Sequence, residues 1–215
     1  MSLSCIEILT PNLLENAVLS ESGNAKTYTF SALTEINKII VKNSNLTALN
    51  IEYKANAEDN FTTLTATQET CGQDFIFTLS APVSMLILKL TFTASGTLSI
   101  GKIIAAKTLL NLSEVLSTVS GNIFAREGYH YMANGALIKW KDFNKYTLTL
   151  TLDNINLTVK QNLENILNNN TFLTYIFYGS FDTALISEYA VRQMPFFNLD
   201  RRRTLYKTTF NLLEK

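Results

Sequence analysis

Few residues in this chain have the chemistry for catalysis. His130 is the single histidine, and Cys5 and Cys71 are the two cysteines. A serine–histidine–aspartate relay needs only one imidazole. No serine here sits in a G-x-S-x-G turn, and neither cysteine has the motif context of a nucleophile. Structural zinc takes about four cysteine or histidine ligands, which one histidine and two distant cysteines cannot supply. The pair Glu58-Asp59 offers carboxylates in a turn, a setting that can hold calcium, but a solvated turn between strands fits it better. No glycine-rich phosphate cradle is present. The chain is therefore expected to bind or assemble, not to catalyse, and to carry no cofactor and no metal.

Two groups of residues could make contacts. Tyr129, His130 and Tyr131 cluster in SGNIFAREGYHYMANG, with Trp140 close behind in ALIKWK. Aromatic faces stack on sugar rings, so these four are the candidate glycan contacts; the alternative is an ordinary aromatic cluster and a core or edge tryptophan. Arg201-Arg202-Arg203 is the one basic run, after Pro195-Phe196-Phe197 and Asp200. It is either a contact for an acidic surface on a partner subunit or a solvated loop. A nucleic-acid interface would need more cations, and 18 Lys+Arg balance 18 Asp+Glu. Zero net charge also gives little self-repulsion, which suits a subunit packed against neighbours.

The elements that must position these residues read as strands. Hydrophobic residues make up 47% of the 215 and aromatics 11%, enough for a real core. KTYTF, INKIIV, ALNIEYK, residues 61–67, FIFTL, residues 85–93 and residues 97–106 are rich in Ile, Thr, Tyr and Phe and are split by SESGN, NAEDN and ETCGQD. In ALNIEYK, Leu49, Ile51 and Tyr53 share one face. LSEVLSTV, residues 112–119, reads as a short helix inside a linker. Ala136–Trp140 and Tyr146–Leu152 read as strands, the latter by strict alternation. Val159, Leu163, Ile166 and Leu167 then form one helical stripe, with Thr158 and Gln161 as its capping box and Asn168–Asn170 as its end. Strands resume at 171–178, 184–191 and 204–213. The expected fold class is mainly β: a jelly-roll-like β-sandwich over 1–110, a linker over 111–134, and a smaller β-rich α+β domain with one amphipathic helix over 135–215. The most apolar stretch, MLILKLTF, is too short for a membrane span, and the first residues lack the pattern of a signal peptide. Cys5 and Cys71 allow one bridge, the alternative being two free thiols in a protein made in the cytosol.

Two family resemblances attach to these halves. Asn12-Leu13-Leu14 with Ala17-Val18-Leu19-Ser20, Ile51-Glu52-Tyr53 before Asn60-Phe61-Thr62, and Leu86–Leu90 before Leu98-Ser99-Ile100-Gly101-Lys102-Ile103 resemble a discoidin-like (F5/8 type C) domain. Lys102 stands where that family often has an acid, and its terminal disulfide is not matched, because Cys71 is mid-domain. The resemblance implies sugar or lipid binding at one end of a sandwich, but no spike residue carries over. Gly135, Leu137 and Trp140, the strand and helix that follow, Met194-Pro195-Phe196 and the closing Leu213-Glu214 resemble distal-tail-type proteins of bacteriophages and phage-derived particles. That resemblance implies a structural subunit of a tail-tip or baseplate ring or adaptor, made in the bacterial cytoplasm and resident in the particle. Its partners would be other tail or baseplate proteins and further copies of itself. The helix and Arg201–Arg203 would then supply subunit contacts. The alternative function is a carbohydrate-binding module with an accessory domain.

Overall fold

The computed structural model describes residues 2–113, 116–131, 137–179, 184–191, 195–200 and 205–215, and within these not the side chains of 2–4, 116–119, 121–131, 137–146, 184–185 and 200. The chain is mainly β, with antiparallel sheets and one α-helix among the described residues. That helix is neither long nor apolar enough to cross a membrane. Two compact units form. One holds 7–111 with 181–184; the other holds 1–6, 112–180 and 185–215.

The unit over 7–111 contains the end of β1 (Ser2–Leu9), a 3-10 turn at Leu13–Asn16, β2 (Val18–Ser22), β3 (Ala25–Lys42), β4 (Leu46–Lys54), β5 (Thr62–Leu64), β6 (Ala66–Cys71), β7 (Asp74–Ala94), β8 (Lys102–Ala106) and β9 (Thr108–Asn111). KTYTF and INKIIV, read separately in the sequence, are one 18-residue strand, β3. FIFTL and MLILKLTF likewise merge into the 21-residue β7. The pairing continues through two irregularities, between Thr29 and Thr34 and between Ile36 and Lys38. On β7 the second one spans 79–82 and includes Pro82, which has no N–H to give a ladder. These bulges bend both strands. Their far halves pair with β2 and β4, and their near halves with β8 and β6.

The bend lets one sheet close on its own apolar face in a sandwich-like fold. Tyr28 and Phe30, Ile39 and Val41, Ile51, Phe77, Leu88, Leu90 and Phe92 form a single buried cluster, with Leu49 and Tyr53 packed against it. The opposite face of the near halves is buried as well: Lys38, Ile40, Ile76, Ile104 and Ala106 are all under 4% exposed. Burial on both faces explains why INKIIV reads as an apolar run and not as an alternation. Lys38 survives there because its Nζ lies 2.8 Å from Glu7 Oε2 and donates to Thr78 Oγ1 at 2.9 Å. The tight hairpin turns of SESGN and ETCGQD have Gly23 and Gly72 at φ +57° and +65°, the left-handed region that favours glycine.

The second unit contains β10 (Leu116–Tyr131), β11 (Leu137–Ile155), α1 (Leu157–Asn169), β12 (Phe172–Gly179), β13 (Ala184–Val191), β14 (Phe197–Asp200) and β15 (Leu205–Glu214). It also takes the first residues of the chain, because Ser2 and Leu3 pair with Thr118 and Ser117. The segment expected to be a linker with a short helix is instead strand β10 from Leu116 onward. It gains its conformation by pairing along β11. The alternation in YTLTLTL holds: Leu148, Leu150 and Leu152 are buried, opposite Leu212, Phe210 and Thr208. On the other face Thr149 donates to Asn211 and Thr151 bonds Thr209.

The stripe of α1 is used inside this unit, with Leu163 and Leu167 buried and Val159 and Ile166 half-buried. Its cap is not Thr158. Asn156 holds that position, and its Oδ1 accepts from Val159 N at 2.8 Å. The Asn-rich end stops the helix without a left-handed residue. The amides of Asn169 and Asn170 donate to the carbonyls of Asn165 and Ile166, and Asn170 itself is extended.

Candidate functional site

The register of β10 with β11 decides where the predicted aromatic residues lie. Gly128 stands opposite Trp140, Tyr129 opposite Lys139, His130 opposite Ile138 and Tyr131 opposite Leu137. All four candidate glycan contacts thus fall on one end of one hairpin, on its backbone ladder. Arg201, Arg202 and Arg203 lie outside the described residues, so their place is not assigned.

The hairpin itself is unusual in its pairing. β15 pairs with β11 only from Thr147 onward. The nine registered pairs from Ile123–Tyr146 to Tyr131–Leu137 join β10 and β11 to each other. Among the described residues no third strand adds to this part. At roughly 3.4 Å per residue the two-stranded ribbon is about 30 Å long. One bulge interrupts it, between Arg126 and Glu127.

A second site belongs to the unit over 7–111, and no reading of the sequence anticipated it. A shallow cavity of about 310 Å³, largely open to solvent, lies between the 3-10 turn, β3 and the approach to β8. Asn12 builds its frame. The buried Oδ1 of Asn12 accepts from Leu14 N at 3.2 Å and Ala105 N at 3.1 Å, and its Nδ2 donates to Ile103 O at 3.0 Å. One amide thereby ties the turn to β8 across about ninety residues of sequence. Gly101 N donates to Lys42 O at 3.0 Å. A Cβ at Gly101 would stand 3.0 Å from Asn43 Cβ and 3.2 Å from Lys42 O, so a side chain there would push the strand ends apart.

Leu14, Ile100 and Ile103 give the mainly polar cavity an apolar patch, and Lys26, Lys102 and Glu15 give it charge. Lys102 Nζ lies 3.9 Å from Glu15 Oε1, both about half-exposed, and Lys26 pairs with Glu21. Tyr28 also lines it; burial, and then the charge of Glu21, push its pKa up to about 12. Its hydroxyl therefore stays protonated at neutral pH. Lys26, Lys102 and Glu15 come from three separate stretches of sequence, and only the fold brings them together.

Asp59 Oδ2 accepts from the backbone and side-chain nitrogens of Asn56, which closes the NAEDN turn on itself. Cys5 and Cys71 are not joined by a disulfide. No protein-family model matches the chain, and no curated protein or solved structure matches it either.

Proposed function

We propose that the chain is a structural subunit of a phage tail or a related phage-derived particle, of the tail-tip or baseplate class, and that it assembles through protein contacts. The observation that carries this reading is the ribbon Ile123–Tyr131 with Leu137–Tyr146, paired to itself alone among the described residues. A lone two-stranded hairpin is marginally stable in water, and its outer edges present unpaired N–H and C=O groups. Addition of a strand or a packing surface from a neighbouring subunit would satisfy both deficits. The even charge balance supports close packing of many copies. A ring built this way uses two different patches on each subunit, so the ribbon would meet a surface elsewhere on the next copy.

Sedimentation velocity over a concentration series tests this. The full chain should form discrete higher-order species, and replacement of residues 124–145 by Asn-Gly should leave a folded monomer. A full chain that stays monomeric throughout sinks the assembly reading, and a shortened chain that assembles equally well removes the ribbon from it. One observation favours a second reading, carbohydrate binding: the register gathers Tyr129, His130, Tyr131 and Trp140 at one ribbon end. Glycan-array signals unchanged by Tyr131→Ala and Trp140→Ala would dismiss it.

A further inference from the structure

We infer that the cavity between the 3-10 turn and β8 is a binding site for a small monocarboxylate with an apolar body. The size comes first: about 310 Å³ is at the lower end of ligand pockets, room for a molecule of roughly a dozen heavy atoms. The wall comes second. Leu14, only 8% exposed, and the half-buried Ile100 and Ile103 offer apolar surface to a hydrocarbon body. The charge comes third. Two ammonium groups line the cavity, each beside one carboxylate of this chain, Lys102 beside Glu15 and Lys26 beside Glu21, so an incoming carboxylate would exchange for a glutamate at either cation. The two cations come from different elements, Lys26 from β3 and Lys102 from the start of β8. A single carboxylate has two oxygens and can take a charged hydrogen bond on each.

The frame is built to hold its shape without a ligand. Asn12 spends three hydrogen bonds on the turn and β8, and Gly101 is locked against Lys42 and Asn43. A site that needs no rearrangement avoids the ordering penalty of binding. Glu15 has a distinct role here. At 3.9 Å from Lys102 it is a carboxylate already placed beside that cation, and an incoming carboxylate must compete with it. The two signs of charge at the rim therefore act in opposite directions. Removing a lysine weakens binding, and neutralising Glu15 strengthens it.

The test is a chemical-shift titration of the isotope-labelled full chain with N-acetylleucine, and in parallel with its uncharged amide. The acid should give saturable shifts at the amides of Leu14, Gly101 and Ile103, with a Kd on the order of 1 mM. The amide should not. Lys26→Ala and Lys102→Ala should each weaken the acid about fivefold, and Glu15→Gln should tighten it about threefold. Equal binding of the amide, weaker binding in Glu15→Gln, or no saturable shift at about tenfold above that Kd would each overturn the inference. Unchanged thermal melting of the three variants separates these outcomes from damage to the fold. The site lies wholly within 7–111, so the ribbon replacement should leave it intact, and its failure is independent of the assembly reading.

Discussion

β3–β7 and β10–β11 are both long antiparallel pairs, of 18 and 21 residues in the first and 16 and 19 in the second. Each is bent or bulged, and each is rich in apolar and aromatic residues. Their surroundings differ. β3 and β7 have neighbours on both outer edges, β2 and β8 on one side and β4 and β6 on the other. Their bends turn the sheet onto one apolar cluster. β10 and β11 find described neighbours only at their base. The same local structure is spent on a core in one case and extended away from described neighbours in the other. The lesson is that strand propensity does not by itself say where stability lies. Edge pairing and face burial do.

The largest effects should come from breaking the embedded pair. Lys38→Ala removes the partner of a buried carboxylate, Glu7, and should cost about 3–5 kcal/mol in urea unfolding. Leu90→Ala, at a fully buried position on β7, should cost about 2–5 kcal/mol. Hydrogen exchange should then sharpen the contrast along the backbone. Amides in the paired middle of β3 and β7 should open only with global unfolding, and amides from Ile123 to Tyr131 should exchange by local opening. Equal protection in both, in a monomer, would show that the ribbon has stabilising neighbours after all. A smaller effect follows from Tyr28 on β3. Its pKa is raised from 10.0 to about 12 in the folded state, so the unfolded chain ionises first. Stability is fully present below pH 10 and is lost as pH rises from there toward 12. Tyr28→Phe should flatten that alkaline loss, measured by denaturant midpoints across the range.

Much of the strand content was legible, and the reasons for the misses are local. Leu49, Ile51 and Tyr53 alternate because one face of β4 meets the core, and that pattern was visible. Ser31-Ala32 and Ser80-Ala81-Pro82 read as breaks because their residues favour turns, yet pairing resumes beyond each bulge. The sequence of β10 has the look of a linker because Gly121, Asn122 and Gly128 are turn formers; cross-strand pairing overrides that preference. The helix stripe was clear, but Thr158 outshone Asn156 as a cap because a capping box is a longer pattern than a lone Asn. The cavity had no local signal at all. Its charged residues are drawn from positions 15, 26 and 102, and the bonds of Asn12 and the β3–β8 ladder bring these stretches together. The aromatic group at 129–140 was legible as a cluster, and its gathering on one hairpin end became visible only with the register.

The smallest expected change concerns the unit that carries the ribbon. Its core is centred on β12 and β13, where Tyr175 stacks on Phe177 at 5.7 Å and meets Tyr189 edge-on at 5.9 Å. Tyr175 is fully buried, and its hydroxyl has no hydrogen-bond partner among the described residues. Burial alone holds its pKa far above the usual phenol range. A buried hydroxyl without a partner has lost its water and gained nothing in exchange. The ring, by contrast, makes all the aromatic contacts. Tyr175→Phe keeps those contacts and removes only the stranded oxygen. It should leave the fold intact and raise stability by about 1 kcal/mol, read from the urea midpoint. Lys38, a buried charged group of the other unit, should behave in the opposite way, because its charge is matched by Glu7 and Thr78. A destabilised Tyr175→Phe would mean that the hydroxyl is satisfied.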